Sequence, residues 1–138
     1  MADQVDQSGP VRCAIITPER QVLDVGADSV VIPAHDGQYG VLRGRAPLLC
    51  KLGIGAVKLT QAGRERRVFV DGGFAQVRDD NVTVLTQSAA EPEQIDREAA
   101  EAALRAAMKM RITDEDSFAV RSDAIARAKT QLAMTTQA

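Results

Sequence analysis

The chain changes its pattern within residues 81–111, which have the sequence NVTVLTQSAAEPEQIDREAAEAALRAAMKMR. The first of these residues alternate polar and apolar side chains with a period of two, as half-buried strands do. After Pro92, the last proline, neither glycine nor proline occurs, so an uninterrupted helix can form. We therefore predict a β-rich part over residues 1–88 and a helical part over residues 89–138.

Length and composition limit the function classes. A chain of 138 residues fits one domain with a small appendage, and 45% hydrophobic residues are enough for a core. The net charge of −2 argues against nucleic-acid binding through a basic field. We expect no secretory signal, because the amino terminus lacks its basic and apolar regions. Cys13 and Cys50 lie in apolar stretches and are expected to be buried free thiols, with a disulfide between them as the alternative.

Short runs rich in β-branched residues recur between turn signals in the first part. This spacing predicts an all-β antiparallel sandwich or a flattened barrel. The runs are VRCAII (11–16), SVVIP (29–33), GVL (40–42), GAVKLTQ (55–61), RRVFV (66–70) and NVTVLT (81–86).

The second part predicts two helices that form an antiparallel hairpin. The first covers roughly residues 95–111 and the second ends near Leu132. For the break between them we expect a capping box of Thr113 and Asp116, with Ser117 as the rival N-cap.

Alanine recurs along both predicted helices, so their side chains bury little apolar area. The charged residues suggest i,i+4 ion pairs of Glu101 with Arg105 and of Asp123 with Arg127. We infer a hairpin of high helix propensity that docks weakly and could detach, or else a fixed appendage.

No motif predicts catalysis, a cofactor or a metal. The glycines of residues 37–40 and 53–55 do not open a helix, so turns explain them better than phosphate binding. His35 and Asp36 have no nucleophile in a recognisable motif nearby, and a solvated turn is expected there.

The segment GVLRGRAPLL (40–49) presents Arg43 and Arg45 on a constrained loop. Pro47 fixes its own backbone and restricts Ala46 before it. Two guanidinium groups on a rigid loop predict a partner-binding edge for a carboxylate-bearing or carbonyl-rich surface.

Two ordered motifs carry a family resemblance. DGQYGVLRGRAPLLCKLGIG (36–55) resembles the signature of the epsilon subunit of F-type ATP synthases. DGGFAQVRDDNVTVLTQSA (71–89) is similar to that family's Gly-Gly strand and the strand after it. TPERQVL (17–23) and IDREAAEAALRAA (95–107) fit its first hairpin and its helical hairpin, so the resemblance spans about residues 11–134.

The resemblance implies a β-sandwich of about ten strands followed by two antiparallel helices. It implies a non-catalytic rotor subunit of the central stalk, bound to the gamma subunit and resting on the c-ring of a proton-translocating synthase. It also implies a peripheral location at the cytoplasmic face of the bacterial inner membrane, reached only through the complex. In bacterial members the hairpin can leave the sandwich, contact the catalytic alpha and beta subunits and block ATP hydrolysis.

The resemblance assigns roles to two sets of residues. The c-ring-facing loop comprises Tyr39, Arg43, Gly44, Arg45, Ala46 and Pro47. The basic residues of the inhibitory hairpin are Arg105, Lys109, Arg111, Arg121, Arg127 and Lys129.

Two departures from the family pattern bear on these roles. The loop has the sequence RGRAPL where the family usually has PGHAPL, so Arg45 is a permanent cation in place of a titratable histidine. The nucleotide motif of some members is matched here at Ile95 and Asp96, but Ala99 replaces its arginine. A nucleotide-sensing module and a free-standing adaptor unrelated to the synthase are the alternative functions.

Overall fold

The computed structural model describes residues 9–135, which contain eight strands, a 3₁₀ turn over Pro92–Gln94 and two α-helices. The strands are β1 Val11–Ile16, β2 Gln21–Ala27, β3 Ser29–Ala34, β4 Gly37–Val41, β5 Leu48–Gln61, β6 Arg64–Arg78, β7 Asn81–Leu85 and β8 Ala89–Ala90. The helices are α1 Arg97–Met108 and α2 Glu115–Thr135.

The strands form a sandwich from one continuous sheet in the order β2-β1-β7-β6-β5-β3-β4, with β8 paired to β6. Neighbouring strands are antiparallel except β1 and β7, which pair in parallel. The expected all-β sandwich with a helical hairpin is confirmed. The described residues hold eight strands and not about ten, because β5 and β6 are each a single long strand, of 14 and 15 residues.

A kink interrupts β6 at Gly72 and Gly73, whose φ angles are +70° and +105°. A Cβ at Gly73 would lie 1.9 Å from the carbonyl oxygen of Leu85, so only glycine fits there. The kink changes the direction of the strand between its two halves.

Inward-facing aliphatic side chains from most strands fill the sandwich. No aromatic side chain of residues 9–135 belongs to the fully buried part of this core, and Tyr39 packs against its margin. The core includes Val11, Cys13, Ile15, Val25, Ile32, Val57, Leu59, Val68, Val70 and Val84. The core therefore forms by close packing of aliphatic, mainly β-branched, side chains in place of aromatic ones.

Capping side chains start both helices. Asp96 accepts hydrogen bonds from the backbone N–H groups of Glu98 and Ala99 at 3.0 and 3.3 Å, so α1 starts at Arg97. Asp114 accepts from the N–H of Ser117 at 2.8 Å, and the Ser117 hydroxyl accepts from the N–H of Asp114 at 3.0 Å.

The capping box of α2 is therefore formed by Asp114 and Ser117, and the predicted pairing of Thr113 with Asp116 is wrong by one residue. Serine at the third helical position reaches back to the cap in the role usually taken by glutamate. The hydrogen bond from the N–H of Ser117 holds the pKa of Asp114 below its ordinary value.

The two helices pack against each other, and α2 lies against β5 and β6. Their buried residues are Ala100, Ala107, Ala128 and Met134, so the helices contribute mostly small side chains. The largest buried side chain on this side comes from the sheet: Phe69 is 1% exposed and lies outside the sandwich core. Its side chain lies on the face of β6 opposite to that of Val68 and Val70. This is the face that α2 approaches.

The predicted ion pairs within the helices are wrong. Glu101 pairs with Arg97, one turn before it, and not with Arg105. Arg127 pairs with Asp71 of β6 and not with Asp123, because α2 turns Arg127 toward the sheet. Neither helix of the described residues is long and apolar enough to cross a bilayer.

Candidate functional site

Residues 42–47, the docking loop, connect β4 to β5 and contain five of the six residues assigned to the loop. The N–H of Arg45 donates to the carbonyl of Leu42 at 3.2 Å, and Gly44 has a φ of +82°. This is a tight turn with glycine at the position that requires a positive φ. Both guanidinium groups are exposed at this turn, beside a cavity of ≈ 320 Å³.

Asp80 ties the docking loop to the neighbouring turn between β6 and β7. Its carboxylate accepts a hydrogen bond from the N–H of Gly44 at 2.7 Å, although 36 residues separate the two in sequence. Asp79 and Asp80 both have positive φ angles, of 51° and 64°. The two turns therefore form one connected surface at this end of the sandwich.

Tyr39 lies in β4 and not in the loop itself. Its hydroxyl donates a hydrogen bond to the carboxylate of Asp36 at 3.1 Å, and this bond raises the pKa of Tyr39. The positive charge of Arg45 acts in the opposite direction on the same group. Tyr39 and Arg45 therefore lie within electrostatic reach of each other.

A second surface, the outer-face patch, is formed by Ile16, Pro18, Phe74 and Leu85. Phe74 and Leu85 are direct cross-strand partners on β6 and β7, and they are 54% and 52% exposed. Together with Ile16 and Pro18 they line a cavity of ≈ 510 Å³. Exposed cross-strand apolar pairs are typical of surfaces that dock partners.

Sequence reasoning missed the outer-face patch, although a signal was present. In Phe74-Ala75-Gln76-Val77, the small and branched residues point inward, so the period of two turns Phe74 outward. An aromatic residue at an outward position is the signal of a binding surface.

The basic residues assigned to the hairpin differ in exposure and in their partners. Arg105, Lys109, Arg111 and Lys129 are exposed. Arg121 donates to the carbonyl of Met108 at 3.5 Å. Arg127 binds Asp71 through two hydrogen bonds, at 2.7 and 3.3 Å.

The hairpin tip, where α1 ends and α2 begins, exposes a second set of large apolar side chains. It comprises Met108, Met110, Ile112, Phe118 and Val120, each between 41% and 58% exposed. Five apolar side chains in one short stretch form a patch that water solvates poorly.

Ile95 and Asp96, the residues matched to the nucleotide motif, form hydrogen bonds with the backbone of neighbouring residues. The side chain of Asp96 caps α1, and the N–H of Ile95 donates to the carbonyl of Pro92 at 3.2 Å. Helix capping is thus a sufficient structural explanation for the aspartate.

The two cysteines are free thiols, as expected, and they differ in burial. Cys13 is fully buried in the core, and this burial raises its pKa to about 12. Cys50 is partly buried, and burial again raises its pKa.

The fold and its surfaces define a class: a small β-sandwich with an exposed loop and exposed apolar side chains that carries a helical arm. The family model for the "ATP synthase, Delta/Epsilon chain, beta-sandwich domain" matches residues 10–92. The ATP synthase epsilon chain of Rhodopirellula baltica is 43% identical over 122 residues, which are 88% of this chain and 95% of that relative. That of Bacillus subtilis is 40% identical over 111 residues, 80% of this chain and 84% of the relative. The chain belongs to the epsilon-subunit family of F-type ATP synthases.

Two solved structures have the same fold. One is a chain in the cryo-EM structure of Euglena gracilis mitochondrial ATP synthase, OSCP/F1/c-ring in rotational state 1. It has a TM-score of 0.78 at 23% identity, with 94% of this chain and 83% of that chain covered. The other is in the central stalk and c-ring structure of Tetrahymena thermophila mitochondrial ATP synthase. It has a TM-score of 0.57 at 16% identity, with 96% and 98% covered.

Proposed function

We propose that this epsilon chain is a non-catalytic rotor subunit that links gamma to the c-ring and whose hairpin restrains ATP hydrolysis. The observation that carries the proposal is the presence of separate exposed surfaces on the sandwich and at the hairpin tip. We assign one partner to each surface. The subunit then lies at the cytoplasmic face of the energy-transducing membrane and meets that membrane only through the complex. Family membership removes the alternative of an adaptor unrelated to the synthase.

We assign the outer-face patch to the gamma subunit. Burying half-exposed Phe74 and Leu85 against an apolar partner would remove a surface that is costly to leave in water. Aromatic side chains at the centre of an interface commonly carry much of its binding energy. A permanent contact of this kind suits two subunits that turn together.

We assign the docking loop to the c-ring. Its exposed guanidinium groups match carboxylates or the carbonyl-rich ends of helices, and Asp80 holds the loop in one shape before binding. Because the contact pairs guanidinium groups with anionic or carbonyl-rich groups, it should weaken as the salt concentration rises.

We assign the hairpin tip and the basic residues of the hairpin to the catalytic alpha and beta subunits. The tip would bury its apolar side chains when the hairpin extends, while exposed cations such as Arg105 and Lys109 meet acidic surfaces. Within residues 9–135 the apolar side chains of the hairpin tip stay exposed, as do Arg105 and Lys109, whereas Arg127 is paired with Asp71.

Two measurements test the proposal. Phe74→Asp should weaken gamma binding at least tenfold, whereas the matched variant Gln76→Asp, one outward position away on β6, should change it less than threefold. Deletion of residues 91–138 should preserve assembly and raise the ATPase rate of the complex. Equal gamma binding by the two point variants would refute the docking assignment, and an unchanged ATPase rate would refute inhibition.

A further inference from the structure

One bidentate ion pair joins the hairpin to the sandwich. Arg127 of α2 donates from Nε to Asp71 Oδ2 at 2.7 Å and from its second guanidinium nitrogen to Oδ1 at 3.3 Å. Among residues 9–135 it is the only ion pair between α2 and a strand. The two side chains are 40% and 20% exposed, so solvent screens the pair only in part.

The sandwich holds Asp71 in place before the hairpin docks. Its backbone N–H donates to the hydroxyl of buried Thr86 at 3.0 Å and to the carbonyl of Ser88 at 3.1 Å. The kink at Gly72 and Gly73 follows directly. The carboxylate therefore projects from a fixed backbone, which lowers the cost of ordering the acidic side of the pair.

The rest of this interface is incompletely filled. A cavity of ≈ 440 Å³ lies beside the ion pair and is lined by Asp123 and Ala126 of α2 together with strand residues that include Gly53 and Gly72. The glycines and Ala126 bury little apolar area beside the ion pair, so the bidentate pair adds to what holds α2 at this point of the interface.

We propose that the Asp71–Arg127 pair is a latch that sets how often the hairpin leaves the sandwich. This inference rests on the proposed function in one respect: release of the hairpin is what would permit inhibition. Arg127 is then a positioning residue of the docked state. Breaking the pair shifts the equilibrium toward the released hairpin without changing any group at the hairpin tip.

Hydrogen exchange of the full chain measures the latch directly. Asp71→Asn keeps the size of the side chain and the backbone hydrogen bonds of the kink, and Arg127→Gln removes the cation from the other side. Each should raise exchange of the α2 amides about threefold to tenfold and leave β1 and β7 unchanged.

The matched control is the Arg12–Asp24 pair, which is also bidentate, with both hydrogen bonds at 2.7 Å. Its side chains are 49% and 21% exposed, close to those of the latch, but it joins β1 to β2 within the sandwich. Asp24→Asn should leave α2 exchange unchanged. The swapped double variant Asp71→Arg with Arg127→Asp should restore protection at least in part.

If Asp71→Asn and Asp24→Asn have the same effect on α2, or if the swap restores nothing, the latch is refuted. The ATPase rate of the assembled complex separates this result from the proposed function. Faster α2 exchange with an unchanged ATPase rate would keep the latch and refute inhibition. Unchanged α2 exchange would refute the latch whatever the ATPase rate, and deletion of the hairpin would still test inhibition separately.

Discussion

Replacing Phe69 with alanine should undock the hairpin and leave the sandwich folded. Phe69 is 1% exposed, yet it lies outside the sandwich core, on the face of β6 that α2 approaches. Its ring is the largest buried side chain of that face, because the helices opposite contribute mainly alanine. Its removal therefore takes the largest fully buried side chain from the face of β6 that α2 approaches.

The magnitude follows from the size of the deleted side chain. Truncation of a buried phenylalanine to alanine costs about 3–5 kcal/mol when the surroundings cannot collapse. The two helices carry mostly small side chains and can move into part of the cavity left by the ring, so we expect the lower end of this energy range. About 3 kcal/mol corresponds to a change of roughly a hundredfold in the docking equilibrium.

The matched control is Val68→Ala, one position away on β6 but pointing into the sandwich core. It should lower the free energy of global unfolding by about 2 kcal/mol, measured in urea. Phe69→Ala should instead raise hydrogen exchange of the α2 amides roughly a hundredfold while β1 and β7 keep their protection. If Phe69→Ala lowers global stability and leaves α2 protected relative to the strands, Phe69 belongs to the sandwich and the reasoning is wrong.

Three further predictions concern single residues. Gly73→Ala should lower the free energy of unfolding, measured in urea, by more than about 3 kcal/mol, because its Cβ would overlap a backbone carbonyl. The control Gly63→Ala also has a positive φ but open space around it, and it should lower that free energy by about 1 kcal/mol. The contribution of Asp114 to the helicity of α2 should be complete above about pH 4 and decline as the pH falls further, because a backbone N–H holds its pKa below the ordinary value. Asp114→Asn should abolish this dependence in circular dichroism, and an unchanged pH profile would contradict the cap. Iodoacetamide at pH 8 should modify Cys50 before Cys13, whose pKa of about 12 leaves almost no thiolate, and mass spectrometry should detect Cys13 modification only after unfolding.

The division of the chain into strands and helices could be predicted because both signals are local. Alternation in residues 81–86 and the absence of glycine and proline after Pro92 depend on neighbouring residues only. The pattern of β-branched runs did not predict the β2 strand. Asp24 and Gly26 interrupt its apolar run, and the cross-strand partner that explains Asp24 is Arg12.

The contacts between the hairpin and the sandwich could not be predicted from the same signals. Asp71 and Arg127 are 56 residues apart, and an i,i+4 partner for Arg127 was available within its own helix. Only the direction in which α2 turns its side chains decides between the two. For Phe69 a local signal did exist, because Val68-Phe69-Val70 is an unbroken apolar run and indicates burial on both faces of the strand.

The parallel pairing of β1 with β7 has a consequence for synthesis on the ribosome. It joins residues about seventy positions apart, as in Arg12 and Asn81, so the sandwich cannot close until β7 has been made. Non-local β topologies fold in milliseconds to seconds. The roughly fifty residues that follow β7 take about 3–10 s to translate at 5–20 residues per second. The sandwich thus has time to close before α2 is complete, and the helical arm then meets a surface that is already finished.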